Sequence, residues 1–126
     1  MHVNVKRRLN LQNLSKGGTY SHGIVSNNFL FVSGQASDDP EKVPSFEVQF
    51  KNTMTKLKKI LESANASFTD VVKISIFLAK REDFQTMNRL FVEYFKEDPP
   101  ARTTVVTGFV ESDILVEIDL IAEVKM

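Results

Sequence analysis

The sequence contains no cysteine, which excludes disulfide bonds, catalysis by a thiolate and zinc sites built on thiolates. It also lacks an excess of charge of either sign, because 16 lysine and arginine residues balance 16 aspartate and glutamate residues. A chain without a net field has no general attraction for a highly charged partner. We therefore expect no nucleic-acid partner.

Long apolar runs are absent as well. No run approaches the roughly 20 residues that a membrane-spanning helix needs, and residues 1–12 (MHVNVKRRLNLQ) lack the apolar stretch of a signal peptide. These absences predict a cytoplasmic protein that does not insert into a membrane. We expect residues 1–126 to form a single domain, because a chain of this length buries roughly two-thirds of its unfolded surface.

The first part of the chain has the patterns of β-strands. Residues 2–9 (HVNVKRRL) predict a short strand, and residues 24–35 (IVSNNFLFVSGQ) predict a hairpin. The turn is expected at residues 26–28 (SNN), because asparagine tolerates the positive φ of a tight turn. Between the two elements, residues 10–23 form a polar loop that contains paired glycines.

A helix is predicted from Ser45, because apolar residues recur there at three- and four-residue steps. Gln49, Lys51, Lys56 and Lys58 are expected on its polar side, facing away from the core. The residues predicted to form the core-facing side are Phe46, Phe50, Met54, Leu57, Leu61 and Ala64.

The second half of the chain continues with a strand over residues 71–78 (VVKISIFL), a helix over residues 82–95 and strands over residues 103–108 and 114–124. The first of these strands is expected to face the helices with Val72, Ile74, Ile76 and Leu78. The element order is then β, β-hairpin, α, β, α, β, β. This order predicts an α+β domain with one mixed sheet and two helices packed on one face.

Alternation along the last strand places Glu117 and Asp119 on the sheet face opposite the helices. Leu115, Ile121 and Phe77 share this face, and a half-apolar sheet face on a small domain requires a cover. No element of the predicted fold remains to provide it. We therefore predict a homo-oligomer in which further copies of the chain bury this face.

Six collinear segments resemble the reactive intermediate deaminases, the RidA or YjgF-like family: GTYSHG, FLFVSGQ, NTMTKLKKILESANASFTDVVKISIFL, DFQTMNRLFVEYF, PPARTTV and LVEIDLIA. The resemblance implies a chorismate-mutase-like α+β fold, a homotrimer with its sheets turned inward, and active sites in the clefts between subunits. It also implies a cofactor-free and metal-free hydrolase of metabolite damage control. Such an enzyme converts enamines and imines such as 2-iminobutanoate to 2-oxo acids and ammonia.

Arg102 and Glu117 are the predicted catalytic residues. A guanidinium binds a carboxylate bidentately at any working pH, and Arg102 in PPARTTV matches the substrate arginine of the family. Glu117 in LVEIDLIA matches the glutamate thought to position water, and a carboxylate can serve as acid and base in imine hydrolysis. From the residues alone, Arg102 could instead pair at the surface with Asp98 or Glu97, and Glu117 could be a solvated strand residue or half of an ion pair.

Tyr20, Ser33, Gly34, Asn88 and Thr104 are the predicted substrate-binding residues. Tyr20 and Asn88 match cleft residues of the family, and Gly34 would let the backbone approach a ligand closely. Thr104 stands where many relatives have cysteine, so chemistry attributed to that thiol cannot operate here, whereas its backbone N–H could still contact substrate. Structural roles remain as alternatives: a loop anchor for Tyr20, a bend at Ser33 and Gly34, and a capping or solvent-facing amide for Asn88.

Three departures from the family pattern fall in the loop near the predicted cleft. Thr19, His22 and Gly23 replace the usual proline, glutamine and alanine, so substrate preference could differ. A histidine without a carboxylate partner at readable spacing is more often structural or exposed than a general base, which is how we interpret His22. His2 and His22 do not form a credible metal site.

A second class of function is compatible with the same residues. A non-enzymatic module could hold a small carboxylate metabolite in the same cleft and act as a sensor or regulator. Such a module needs Arg102 but has no evident need of a water-positioning glutamate. Replacement of Glu117 therefore discriminates between the enzyme and the binding module.

Overall fold

One mixed sheet contains the six strands of residues 5–125, the part of the chain that the computed structural model describes. The strands are β1 (Arg7–Leu9), β2 (Gly23–Ser26), β3 (Phe29–Gln35), β4 (Val71–Leu78), β5 (Ala101–Val106) and β6 (Val116–Glu123). Their order across the sheet is β1-β2-β3-β6-β4-β5. β4 and β5 run parallel, and the other neighbouring pairs are antiparallel. Residues 2–4 of the predicted first strand lie outside the described residues.

Two helices, α1 (Phe46–Ser63) and α2 (Phe84–Tyr94), cover one face of the sheet. Ser45 caps α1, because its hydroxyl accepts a hydrogen bond of 3.3 Å from the Val48 N–H. All six apolar residues predicted for the core-facing side of α1 are buried. The predicted α+β architecture is confirmed. Neither helix of the described part is long and apolar enough to cross a membrane.

The β2–β3 hairpin has the predicted turn. Ser26 pairs with Phe29, and the two residues between them, Asn27 and Asn28, have φ angles of 53° and 74°. Two consecutive positive φ angles define the turn type whose twist matches that of paired strands, and asparagine adopts them at low cost. The Asn28 carbonyl also accepts a hydrogen bond of 2.8 Å from Val124 just beyond β6, which ties the turn to the end of the chain.

The prediction that Gln49 faces away from the core is wrong. Gln49 is fully buried on α1 and holds the segment before β6. Its amide nitrogen donates to the carbonyls of Val43 and Asp113 at 2.7 and 2.9 Å, and its amide oxygen accepts from the Leu115 N–H at 2.9 Å. Burial of this polar side chain is tolerated because both ends of the amide have partners.

The predicted facing of Val72 is also wrong. Val72 is 36% exposed, whereas Val71 is 5% exposed and packs in the core. The register of β4 against β6 shifts between Val71 and Lys73, so the strand begins with an irregularity that reverses which side chain points inward. From Ile74 onward the alternation follows the prediction, with Ile74, Ile76 and Leu78 fully buried.

The sheet face away from the helices, here called the open face, is half apolar as predicted. Glu117, Asp119 and Ile121 of β6 lie on it and are each partly exposed. Phe31 of β3 is 46% exposed on the same face, and Phe77 of β4 pairs in register with Glu117. No element of residues 5–125 covers these side chains, so the predicted need for a cover stands.

Candidate active site

A depression of about 310 Å³ on the open face is lined by Tyr20, Ser33, Gly34 and Glu117. These four residues are called the glutamate pocket. Glu117 lies in the middle of β6, and the register of β3 against β6 shifts between Val32 and Gln35, where Ser33 and Gly34 lie. The irregularity of β3 therefore forms the pocket wall beside the carboxylate.

Hydrogen bonds within the protein determine what the pocket can offer to a ligand. The Tyr20 hydroxyl accepts from the Gly17 N–H at 2.9 Å, which leaves its own proton free to be donated. The Ser33 hydroxyl donates to the Ser21 carbonyl at 2.7 Å, and the Ser33 N–H donates to the His22 carbonyl at 3.0 Å. Ser33 can therefore only accept, whereas Tyr20 can donate.

The position of the Glu117 carboxylate leaves room only for a glycine at residue 34. A Cβ atom added at Gly34 would lie 2.5 Å from Glu117 Oε2 and 3.2 Å from its carboxyl carbon. Cβ atoms in proteins essentially never come this close to another heavy atom, so a side chain at this position must displace the carboxylate. The sequence led us to expect close approach of a ligand at Gly34, and in the structure the glutamate makes that approach.

The pKa values of Glu117 and Asp119 on the open face are both raised. Burial raises the pKa of Glu117, and the nearby Asp119 carboxylate raises it further. Burial likewise raises the pKa of Asp119, although the Ser75 hydroxyl and the Lys73 ammonium group oppose this effect. Glu117 therefore holds a proton up to a higher pH than an ordinary glutamate, which suits a group that must both accept and return one.

Arg102 lies elsewhere, at the sheet edge formed by β5. It pairs in register with the buried Ile74 and faces α2. Its guanidinium carbon lies 4.9 Å from the centre of the Phe91 ring, and its Nη1 atom lies 3.8 Å from Met87 Sδ. Within residues 5–125 no carboxylate lies at ion-pair distance from Arg102, which contradicts the alternative of a surface pair with Asp98 or Glu97.

Two polar atoms on the helix and strand that flank this arginine lack hydrogen-bond partners among the described residues. Asn88 Oδ1 on α2 and Thr104 Oγ1 on β5 are buried and make no hydrogen bond. Thr104 is two residues from Arg102 on the same strand and so points to the same face. A buried polar atom without a partner is costly, so a water molecule, a ligand or another chain is expected to bond to it. Met87, Asn88, Phe91, Arg102 and Thr104 are called the arginine cluster.

These observations exclude both structural roles that the sequence left open for Asn88. Asn88 neither caps the helix nor turns its amide oxygen to solvent, because that oxygen is buried. The Thr104 hydroxyl was not predicted to take part, but its buried oxygen belongs to the cluster. The contacts of Phe91 and Met87 with Arg102 were also not predicted. Their only signal in the sequence is four-residue spacing on α2, which core residues share.

The glutamate pocket and the arginine cluster do not meet within one chain. Arg102 and Thr104 point to the helix side of the sheet, whereas Glu117 points to the open face. The structure thus gathers four of the seven predicted site residues in the pocket. The other three lie in the cluster on the opposite side.

His22 has a structural role. It is fully buried, its Nδ1 atom accepts from the Leu11 N–H at 3.0 Å, and its Nε2 atom contacts the Ser15 carbonyl at 3.2 Å. These partners define a neutral ring with its proton on Nε2 that holds the loop before Tyr20. Among residues 5–125 no group of three or more metal-ligating side chains is close enough together to hold a metal ion.

The fold, the glutamate pocket and the arginine cluster define a class of small α+β protein. It carries a carboxylate pocket on an open sheet face and an arginine without an ion-pair partner at the sheet edge. The family model described as Endoribonuclease L-PSP matches residues 11–124. The chain belongs to this family, the RidA/YjgF family, as the resemblance predicted.

Individual relatives agree with this assignment. The chain is 40% identical over 109 residues to a RutC family protein of Pyrococcus abyssi, covering 83% of this chain and 86% of that one. It is 34% identical to the chloroplastic Reactive Intermediate Deaminase A of Arabidopsis thaliana, covering 83% and 58%. The crystal structure of RidA from the Antarctic bacterium Psychrobacter sp. PAMC 21119 matches with a TM-score of 0.80 at 33% identity, covering 87% and 92%. A chloroplastic relative leaves the cytoplasmic location of this chain a prediction.

Proposed function

We propose that the protein hydrolyses 2-imino acids such as 2-iminobutanoate to 2-oxo acids and ammonia, at a site where the glutamate pocket of one copy faces the arginine cluster of another. One observation carries the proposal. Within the part of the chain that the structure describes, Arg102 is half-buried and has no anionic partner, while the glutamate pocket on the other side of the sheet has a carboxyl group and no cationic partner. The pocket and the cluster, here called half-sites, each lack the charge that the other holds.

Arg102 binds the substrate carboxylate in this mechanism. A 2-imino acid presents a carboxylate next to the reacting carbon, and the planar fork of a guanidinium matches it with two parallel hydrogen bonds. The carboxylate does not change during the reaction. Arg102 therefore contributes binding and orientation, which it supplies equally to the ground state and the transition state.

Glu117 acts on the reacting atoms. As a carboxylate it takes a proton from a water molecule while the water oxygen bonds to the imine carbon, and the proton passes to nitrogen to give a tetrahedral amino alcohol. The hydroxyl proton of this intermediate then moves to nitrogen as the C–N bond breaks, which releases ammonia and leaves the 2-oxo acid. The raised pKa of Glu117 makes return of the proton to nitrogen easier near neutral pH. The free proton of Tyr20 can be donated to the intermediate.

The assembly that joins the half-sites is proposed to be a trimer. The open face exposes Phe31, Ile121 and Phe77 around the pocket, and burial of this face against copies of the chain brings an edge strand of one copy to the pocket of the next. Light scattering at micromolar concentration should give about three times the chain mass of 14.3 kDa. A monomer at that concentration would contradict both the assembly and the shared site.

The reaction is tested by competition for the imine. An amino acid dehydratase generates 2-iminobutanoate in the presence of semicarbazide, and the protein should lower the trapped fraction. Arg102→Ala should remove this effect at low substrate, and Arg102→Lys should restore little of it, because a point charge does not replace the fork. Glu117→Gln should still bind 2-oxobutanoate while its turnover falls by ~10²-fold or more.

A binding module remains the second candidate, and one observation favours it: the arginine cluster holds a cation and two unpartnered polar atoms without any help from Glu117. If the wild-type protein binds 2-oxobutanoate through Arg102 but never lowers the trapped fraction, the deaminase proposal fails and the binding module replaces it. Cleavage of RNA, which the description of the family model names, receives no support from the balanced charge of this chain.

A further inference from the structure

The guanidinium of Arg102 is held by side chains that carry no charge. The Phe91 ring lies 4.9 Å from its Cζ atom, and Met87 Sδ lies 3.8 Å from Nη1. In the described part of the chain its remaining N–H groups have no hydrogen-bond partner. An arginine side chain loses much rotational freedom when it is fixed, so contacts that hold it in place before a ligand arrives lower the cost of binding.

The Phe91 ring is itself rigidly supported. It is 6% exposed and packs on Phe95 with ring centres 4.6 Å apart, and Phe95 in turn meets the edge of Phe68 at 5.5 Å. Met87 lies one helical turn before Phe91 on the same side of α2 and is fully buried. The surface under Arg102 is therefore formed by packed core side chains and does not depend on a ligand.

An aromatic ring can orient a cation without neutralising it. The negative face of the ring attracts a guanidinium, but it offers no oxygen to the N–H groups that form the fork. A carboxylate partner would fix the side chain equally well, yet it would occupy the fork and compete with a substrate carboxylate.

We propose that Phe91 is a positioning residue whose ring orients the Arg102 guanidinium and leaves its fork open to a substrate carboxylate. This inference rests on the proposed function, and it adds a residue that acts only through Arg102. Because Arg102 contributes uniform binding, loss of the ring's attraction should raise the Kd and the KM and leave kcat unchanged.

The test replaces the charge distribution of the ring and keeps its shape. Phe91→pentafluorophenylalanine removes the negative face, and Phe95→pentafluorophenylalanine is the matched control, since Phe95 is 7% exposed in the same aromatic group but is not the ring beneath Arg102. Calorimetry with 2-oxobutanoate should show binding about three- to tenfold weaker for the Phe91 variant and unchanged for the control. The KM for 2-iminobutanoate should rise by the same factor, with equal melting temperatures for the two variants.

The outcomes separate the two claims. Equal weakening in both variants, or no weakening in the Phe91 variant while Arg102→Ala abolishes binding, overturns the positioning role and leaves the proposed function standing. No binding of 2-oxobutanoate by the wild-type protein, or unchanged binding by Arg102→Ala, overturns both. A fall in kcat at constant KM also overturns the inference, because it would place the ring's effect on the chemical step.

Discussion

The glutamate pocket and the arginine cluster lie on opposite sides of one sheet and are built in different ways. The pocket lies over central strands, its hydroxyl groups have partners, and its carboxyl group is pushed towards the protonated state. The cluster lies at the edge strand, is supported by apolar side chains, and contains two polar atoms without partners. In the proposed function, the pocket carries out proton transfer and the cluster binds the substrate carboxylate.

The largest effect is expected when two inactive variants are mixed. The mixture tests whether the pocket of one chain and the cluster of another form one active site. Arg102→Ala and Glu117→Gln should each be inactive alone. If the site joins a pocket from one chain to a cluster from another, co-refolded equal amounts should recover about a quarter of wild-type activity, since each half-site is intact in half of the chains.

The control for this experiment is the double variant that carries both changes in one chain, mixed with an equal amount of wild-type protein. It should give the same quarter of the sites, because the two halves again assort independently. A mixture of the single variants that stays inactive, while the control mixture works, would show that both groups act from the same chain.

Gly34→Ala tests how closely the pocket is fitted around its carboxylate. The new Cβ would meet Glu117 Oε2 at 2.5 Å, so the carboxylate must move, and misplacement of a catalytic group by about 1 Å lowers turnover by tenfold or more. Binding of 2-oxobutanoate should change little, because the arginine cluster is untouched. Gly108→Ala is the control, since nothing lies within 4 Å of its added Cβ. Unchanged kcat in Gly34→Ala would mean that the position of Glu117 does not limit the reaction.

The sequence predicted the local structure well where local residues determine it. The turn at Asn27 and Asn28 follows from their tolerance of positive φ, and the start of α1 follows from the Ser45 cap. Gln49 was misplaced because its partners, including Asp113 and Leu115, come from a segment more than 60 residues away. No pattern within a helix reports such distant backbone groups.

The candidate site was predictable as a set of residues but not as an arrangement. Resemblance identified Arg102 and Glu117, and alternation along the last strand placed Glu117 on the open face. The face of Arg102 depends on its pairing with Ile74 in the parallel β4–β5 register, which the sequence of β5 alone does not specify. The contact of Phe91 with Arg102 likewise exists only once α2 has packed against this edge.

A smaller effect is expected in the pH dependence of activity, which reports the ionisation of Glu117 in the pocket. Glu117 must be deprotonated to activate water, so activity should fall on the acid side through a pKa higher than that of an ordinary glutamate. Burial is the main cause and Asp119 the second, so Asp119→Asn should lower the pKa of Glu117 and move the acid limb of kcat/KM to lower pH. Glu123→Gln, which removes a charge from the end of the same strand, should leave the limb in place. A limb that moves to higher pH in Asp119→Asn would contradict the assigned cause.

The smallest effect is expected for a change in the arginine cluster that raises the stability of the protein and weakens its binding of ligand. Thr104→Val keeps the shape of the side chain and removes a buried hydroxyl that has no partner, so the protein without ligand should gain about 1 kcal/mol of unfolding free energy. If that hydroxyl serves the ligand, the Kd for 2-oxobutanoate should rise by about fivefold at the same time, since a neutral hydrogen bond contributes on the order of 1 kcal/mol. The matched control, Thr103→Val, lies on the other face of β5. The Thr103 hydroxyl is exposed and accepts a hydrogen bond of 2.6 Å from Lys73, so this change should bring no gain in stability and no loss of binding. Denaturant unfolding and calorimetry measure the two quantities. A Thr104→Val protein that is less stable than the wild type would show that the hydroxyl already has a partner in the assembly, and the cluster would then be completed by protein and not by substrate.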